Sequence, residues 1–200
     1  MASASTLYSN DFSANSNGFS GAAIANYGAY GNFYGILAGG TTATLSLAGL
    51  GANLAVNLVF NLYTLNSMDG DNGSWGPDAF AVKINGVTAL NNTFSNYPND
   101  PSFNQNYGGP GSVAGTGSVS STPSVGWNGA TEFTYKIALN GTTDANGNLT
   151  VDFIGNSNQG WGDEGFGIDN VSVSTVPVPA GLPLLAGGLA LLGLARRRKA

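Results

Sequence analysis

In the stretch Asn53-Leu-Ala-Val-Asn-Leu-Val-Phe-Asn-Leu-Tyr63, Leu54, Val56, Leu58, Phe60 and Leu62 recur at every second position, with Asn57 and Asn61 between them. Successive side chains of an extended chain point to opposite faces, so this spacing gives one apolar and one polar face. That is the pattern of a strand in an antiparallel sheet laid on a core. The same alternation runs through Ala43, Leu45 and Leu47 of Thr41–Leu47, and through Phe80, Val82 and Ile84. It returns in Phe133, Tyr135, Ile137 and Leu139, and in Leu149, Val151 and Phe153.

Turn chemistry lies between these runs. Asn85-Gly86 predicts a two-residue hairpin joining Phe80–Ile84 to Val87–Leu90. Asn140-Gly141 and Asn146-Gly147 predict turns on the way from Thr131–Leu139 to Leu149–Ile154. No stretch before Val176 carries a helical period over three turns. Many short strands separated by turns imply an all-β, antiparallel β-sandwich of jelly-roll type over residues 1–175. Asn96–Pro123, rich in Gly, Pro, Ser and Asn, reads as a long loop with a short strand near Val113–Val119. Asn15–Tyr34 has the same irregular character.

Composition narrows the function. Charged residues make up 8% of the chain, against about 25% in an average protein. All eleven acidic residues precede Val176, where only Lys83 and Lys136 are basic, a balance of −9. A domain so acidic does not hold a nucleic-acid backbone, but it can take divalent cations. There is no cysteine, hence no disulfide or thiolate metal site, and no histidine, hence no Ser-His-Asp arrangement.

The tail is of another kind. Val176-Pro-Val-Pro-Ala180 opens it, Ala180–Ala195 carries no charged or polar side chain, and Arg196, Arg197, Arg198 and Lys199 close it. The apolar run is slightly short of the ~20 residues of a relaxed membrane-spanning helix. With Val176–Pro179 included and the arginines snorkelling, a thin single transmembrane helix is expected, its basic end in the cytoplasm.

This order of Pro motif, Gly-rich apolar helix and basic cluster resembles the PEP-CTERM sorting signal of Gram-negative bacteria in its VPLPA variant, with Val178 where the variant often has Leu. The resemblance covers residues 176–200. It implies export, transient insertion in the inner membrane, cleavage near the Pro motif by an exosortase, and a final place at the cell surface or outside it. It also implies an association with exopolysaccharide or biofilm. Such a signal requires a leader, whereas Met1-Ala-Ser-Ala-Ser-Thr has neither a basic nor an apolar region. Either the start is placed too late or the leader has been removed; Ala2-Ser3-Ala4, similar to the small-residue end of a leader cleavage site, favours removal.

Two acidic stretches are candidate Ca²⁺ sites. Asp69-Gly-Asp-Asn-Gly-Ser-Trp-Gly-Pro-Asp78 offers Asp69, Asp71 and Asp78 from one Gly-rich loop, and Ca²⁺ gathers 6–8 such oxygen ligands. It departs from an EF-hand at Gly73 and Phe80, and it reads equally as an Asp/Gly turn. In Gly167-Ile-Asp-Asn-Val-Ser-Val173, the odd step from Ile168 to Val171 predicts a bulge at Asp169-Asn170. This stretch resembles the last strand of jelly-roll domains of the galactose-binding or carbohydrate-binding-module class. That resemblance implies a structural Ca²⁺ shared by Asp169 and the region of Asp11. The alternative is an Asp satisfied by backbone N–H groups.

Trp75, Trp127 and Trp161 fall in or beside loops, where they could stack on sugar rings, although tryptophan more often buries most of its area. The expected function is therefore a non-catalytic binding or structural β-sandwich of the envelope or exopolysaccharide matrix. A glycan hydrolase using Asp163 and Glu164 is the rival, weakened because neighbours on one strand face opposite ways. A coat subunit without a ligand is the third reading.

Overall fold

The computed structural model describes residues 3–177. Val178, Pro179, Ala180, the apolar run and the basic cluster Arg196–Lys199 lie outside the described residues. Among the described residues no helix is long and apolar enough to cross a membrane.

Among the described residues twelve strands follow one another: β1 (Thr6–Asn10), β2 (Phe19–Ser20), β3 (Ala23–Asn26), β4 (Asn32–Leu37), β5 (Thr41–Leu47), β6 (Ala55–Asn66), β7 (Ala79–Ile84), β8 (Val87–Thr93), β9 (Ser120–Pro123), β10 (Thr131–Thr142), β11 (Leu149–Asn156) and β12 (Glu164–Thr175). They form two antiparallel sheets. One runs β3-β4-β12-β6-β10-β9, with β1 beside the second half of β12; the other runs β2-β5-β11-β7-β8. The described residues form an all-β antiparallel sandwich.

The alternating apolar residues meet between the sheets. Val56, Leu58, Phe60 and Leu62 of β6 are buried there, as are Val82, Val151 and Phe153 of the facing sheet. Phe60 meets Phe153 edge to face with ring centres 5.1 Å apart. Each such side chain contributes about 1.5–3 kcal/mol by leaving water.

Asn85 and Gly86 both take positive φ, 47° and 79°, which makes the β7–β8 turn the tight primed hairpin that matches the strand twist. Asn85 also ties this turn down, since its Oδ1 accepts from Thr150 N at 2.8 Å and its Nδ2 donates to Thr142 O at 2.9 Å. The bulge predicted in the last strand is present. The β12–β6 register shifts between Asp169 and Ser172, and Asn170 has φ 50°.

Three expectations need correction. Asn140-Gly141 is no turn; both residues lie within β10, paired to Asn57 and Val56, with Ile84 packed where a Gly141 side chain would stand. The short strand of the long loop is β9, not Val113–Val119, whose two valines are exposed. That loop is held instead by buried Gln105, whose Nε2 donates to Tyr107 O and Thr116 O and whose Oε1 accepts from Tyr135. Asn15–Tyr34 is not irregular throughout, because β2, β3 and the start of β4 lie in it. There Phe33 joins Tyr63 and Leu65 of β6 in a second apolar cluster, flanked by half-buried Tyr27, Tyr30 and Ile36.

Candidate functional site: an aromatic cleft over a buried acidic triad

Beyond Tyr63 the alternation of β6 ends and the chain is buried continuously from Leu62 through Gly70. Four loops converge on it: Gly70–Asp78, the long segment from Phe94 to β9, the β9–β10 loop that carries Trp127, and the stretch before β12. Between them opens a cleft of about 340 Å³. Its walls are Trp75, Tyr97, Phe103 and Trp127, and its polar groups come from Ser67, Asp69, Gln159 and Asp163.

Each aromatic is held through its backbone or its neighbour. Asn72 Oδ1 accepts from Ser74 N and Trp75 N at 2.9 and 3.1 Å, winding the loop so that the indole stands outward. Asn158 Nδ2 donates to Trp75 O at 2.9 Å. Trp127 N donates to Ser124 Oγ at 3.1 Å. Tyr97 and Phe103 pack ring on ring at 4.6 Å. Trp75 is 58% exposed and Trp127 40%, so both present their faces to solvent rather than filling the core. Trp161 is also exposed, 46%, but it packs edge-on against Tyr27 and is not part of the cleft lining.

Behind the cleft lies an acidic triad. Asp78 and Glu164 are fully buried and Asp69 is 7% exposed, and one oxygen from each lies within 4.8 Å of the others. Asp78 accepts from Asp69 N and, at 2.9 Å, from Asn158 N. Glu164 Oε2 accepts from Gln159 N at 2.9 Å. With its amide turned to suit its surroundings, the Gln159 side chain donates to Glu164 and to Trp75 O. Glu164 also shares carboxyl hydrogen bonds with Asp69 and Asp78.

Burial raises all three carboxyls, and the charge of Asp78 raises the other two further. Glu164 is pushed up to about 9, first by desolvation and then by Asp78. Asp69 rises to about 6 for the same two reasons. Asp78 is raised by burial, partly offset by the N–H groups of Asn158 and Asp69. Three hard oxygen donors gathered without a basic partner fit a divalent cation such as Ca²⁺.

The structure thus brings Asp69 and Asp78 together as candidate ligands and adds Glu164. It sends Asp71 elsewhere, to accept from Thr93 Oγ1 at 2.6 Å. Asp11 and Asp169 are engaged locally. Asp11 Oδ1 accepts from Ser13 N and Oγ, while Asp169 accepts from Tyr63 and from both nitrogens of Asn170. The charge of Asp11 does reach Asp169, which burial chiefly raises. Asp163 faces the cleft, bonded by Ser67 Oγ, whereas Glu164 turns into the interior. They do not form a pair across a substrate.

No protein-family model and no curated protein matches the sequence. Among solved structures the chain is similar to the CBM22-1 xylan-binding domain from Paenibacillus barcinonensis Xyn10C, at 11% identity and a TM-score of 0.45, covering 90% of this chain and 99% of that one. It is similar to the CBM36-1 domain of a multidomain xylanase from the hindgut metagenome of Trinervitermes trinervoides, at 11% identity, TM-score 0.43, and 88% and 100% coverage. A family 35 carbohydrate binding module from Clostridium thermocellum is also similar, at 12% identity, TM-score 0.42, and 86% and 100% coverage.

Proposed function

We propose that this chain is a non-catalytic glycan-binding module of the cell envelope or exopolysaccharide matrix, that its cleft is the sugar site, and that the triad holds a structural Ca²⁺. The observation that carries the reading is the pair Trp75 and Trp127, exposed on the walls of one cleft whose polar groups are hydroxyl, amide and carboxylate. A sugar ring has an apolar C–H face that covers an indole and a rim of hydroxyls that needs donors and acceptors. An apolar cleft with a few convergent polar groups offers both. Asp163, a lining carboxylate outside the triad, favours a neutral glycan over a uronic-acid polymer, because a bare carboxylate ligand would meet like charge. In the same reading, residues 176–200 deliver the module to the surface through inner-membrane insertion and an exosortase.

The test is affinity electrophoresis of the full chain, in mild detergent, through gels carrying neutral or acidic polysaccharides. Retardation by a neutral polymer without release of reducing ends is expected. Retardation by none would remove the proposal, and reducing ends released by the chain but not by its Asp163→Asn variant would replace it with a hydrolase.

A further inference from the structure

Asparagine followed by glycine is a reactive pair, because no side chain on the glycine hinders its amide nitrogen from reaching the asparagine Cγ. The sequence holds six such pairs, at Asn17, Asn72, Asn85, Asn128, Asn140 and Asn146. The fold does not leave them equal. Asn72 has both side-chain polar atoms engaged, with Ser74 N, Trp75 N and Ser102 O. Asn85 has both engaged as well, with Thr150 N and Thr142 O. Asn140 is held extended in β10, opposite Asn57. The Asn146–Gly147 peptide is tied by its nitrogen, which donates to Asp144 O at 3.1 Å. The Asn17–Gly18 peptide is tied by its oxygen, which accepts from the Tyr8 hydroxyl at 2.6 Å.

Among the six, Asn128 alone has none of these restraints. No hydrogen bond among the described residues reaches its side chain, its carbonyl or the Gly129 N–H. Both residues are exposed, and no atom beyond the chain neighbours lies within 4 Å of where a Gly129 side chain would start. Solvent base therefore has access to the amide. The pair is also the tip of the loop that presents Trp127 to the cleft. Ser124 closes the base of that loop, donating its N–H to Ala130 O and accepting at Oγ from Trp127 N, both at 3.1 Å. Across the tip Ala130 N donates to Trp127 O at 3.4 Å, a turn that Gly129 makes possible with φ 90°.

We infer that Asn128 is a self-modification site and, resting on the glycan reading above, that its conversion releases the grip of the cleft. Solvent base takes the Gly129 amide proton and the nitrogen bonds to Asn128 Cγ. The Cγ–Nδ2 bond breaks, and ammonia leaves with a proton drawn from water, so that a succinimide remains. Water then opens the ring at Cγ, giving Asp, or at the main-chain carbonyl, giving isoaspartate. Either product puts a carboxylate next in the chain to Trp127, whose cleft already holds Asp163. Isoaspartate also adds a methylene to the main chain between Trp127 and Ala130, and the turn that sets the indole is lost.

The test ages the full chain, freshly purified in mild detergent, in mildly alkaline buffer. Peptide mapping over time should show Asn128 losing its amide at least tenfold faster than any of the other five. Equal rates, or a faster site elsewhere, overturn the modification site. The order should collapse in urea, and its persistence there would overturn the structural cause. In affinity electrophoresis the aged chain should be retained at least tenfold more weakly than the fresh one. Aged Asn128→Gln, whose longer side chain closes its ring far more slowly, should keep its retention. Conversion at Asn128 with unchanged retention overturns the release while the glycan reading stands. A fresh chain retained by no polymer removes the glycan reading and the release with it, and the map of rates still decides the modification.

Discussion

The Tyr63 hydroxyl donates to Asp169 Oδ2 at 2.8 Å, across two neighbouring strands and within the buried interior. The bond stands at the bulge of β12, where Asn170 turns to positive φ and returns its own two nitrogens to the same carboxylate. Asp169 is therefore an organiser of the bulge. Tyr63→Phe should cost roughly 1.5–3 kcal/mol, the range for a hydrogen bond to a charged group. Denaturant unfolding measures it, and an unchanged midpoint would show that water replaces the tyrosine.

Trp75→Ala and Trp127→Ala should separate binding from folding. Both rings are exposed, so melting should stay within about 0.5 kcal/mol of the parent. Buried ring contacts at binding sites often carry 2 kcal/mol or more, so retention by the polysaccharide should fall roughly thirtyfold or further for each. Trp161→Ala, outside the cleft lining, serves as the control and should retain binding. Equal losses in all three would mean that the cleft is not the site.

Glu132 makes a pH prediction. It is buried, its Oε1 accepts from Asn66 N and Ser124 Oγ, and desolvation raises its carboxyl above the ordinary 4.5 despite those bonds. The folded chain thus holds this proton more tightly than the unfolded chain does. The associated stability is present in full below 4.5 and is lost as pH rises through the folded value. Glu132→Gln keeps the acceptor oxygen and removes the charge. It should melt close to the parent at pH 4 and higher than the parent at pH 7, by roughly 2–4 °C for each kcal/mol recovered. A gap that does not widen with pH would contradict this.

The sorting proposal has its own variant. Replacing Arg196, Arg197 and Arg198 with Ser, in a host with the cognate exosortase and with a leader supplied, should leave the chain unanchored or unprocessed. Normal maturation of that variant would end the idea.

Sequence periodicity located the strands that face one core and water. β5 has the bounds that its alternation implied, Thr41–Leu47, and the odd step at Ile168–Val171 marked a real bulge. β4 was invisible because Phe33 and Tyr34 are both buried, one on each side of the sheet, so no alternation remains to be seen. The triad was half legible. Asp69 and Asp78 share a loop, but Glu164 joins them only through the pairing of β12 with β6, which puts Glu164 opposite Asn66. A pairing between distant segments leaves no local pattern. Tyr97 and Phe103 were visible as aromatics in a polar loop; their shared wall with Trp75 and Trp127 depends on how three loops fold back.

β12 also has a mechanical meaning. It begins at Glu164, under the cleft, and runs twelve residues to Thr175, a length of about 40 Å. In the proposed reading, glycan and C-terminal attachment would therefore take hold at opposite ends of this strand. It lies between β6 on one side and β4 and β1 on the other. A pull between a matrix polymer in the cleft and a tether beyond Pro177 would run along this strand. Antiparallel ladder bonds stand across the strand direction, so such a load shears many of them together instead of peeling them singly. Single-molecule pulling from those two ends should give one high-force rupture, and low-force stepwise opening would refute it. Under the proposed tethering and glycan binding, a strand placed this way would carry the tension between a surface and its polymer.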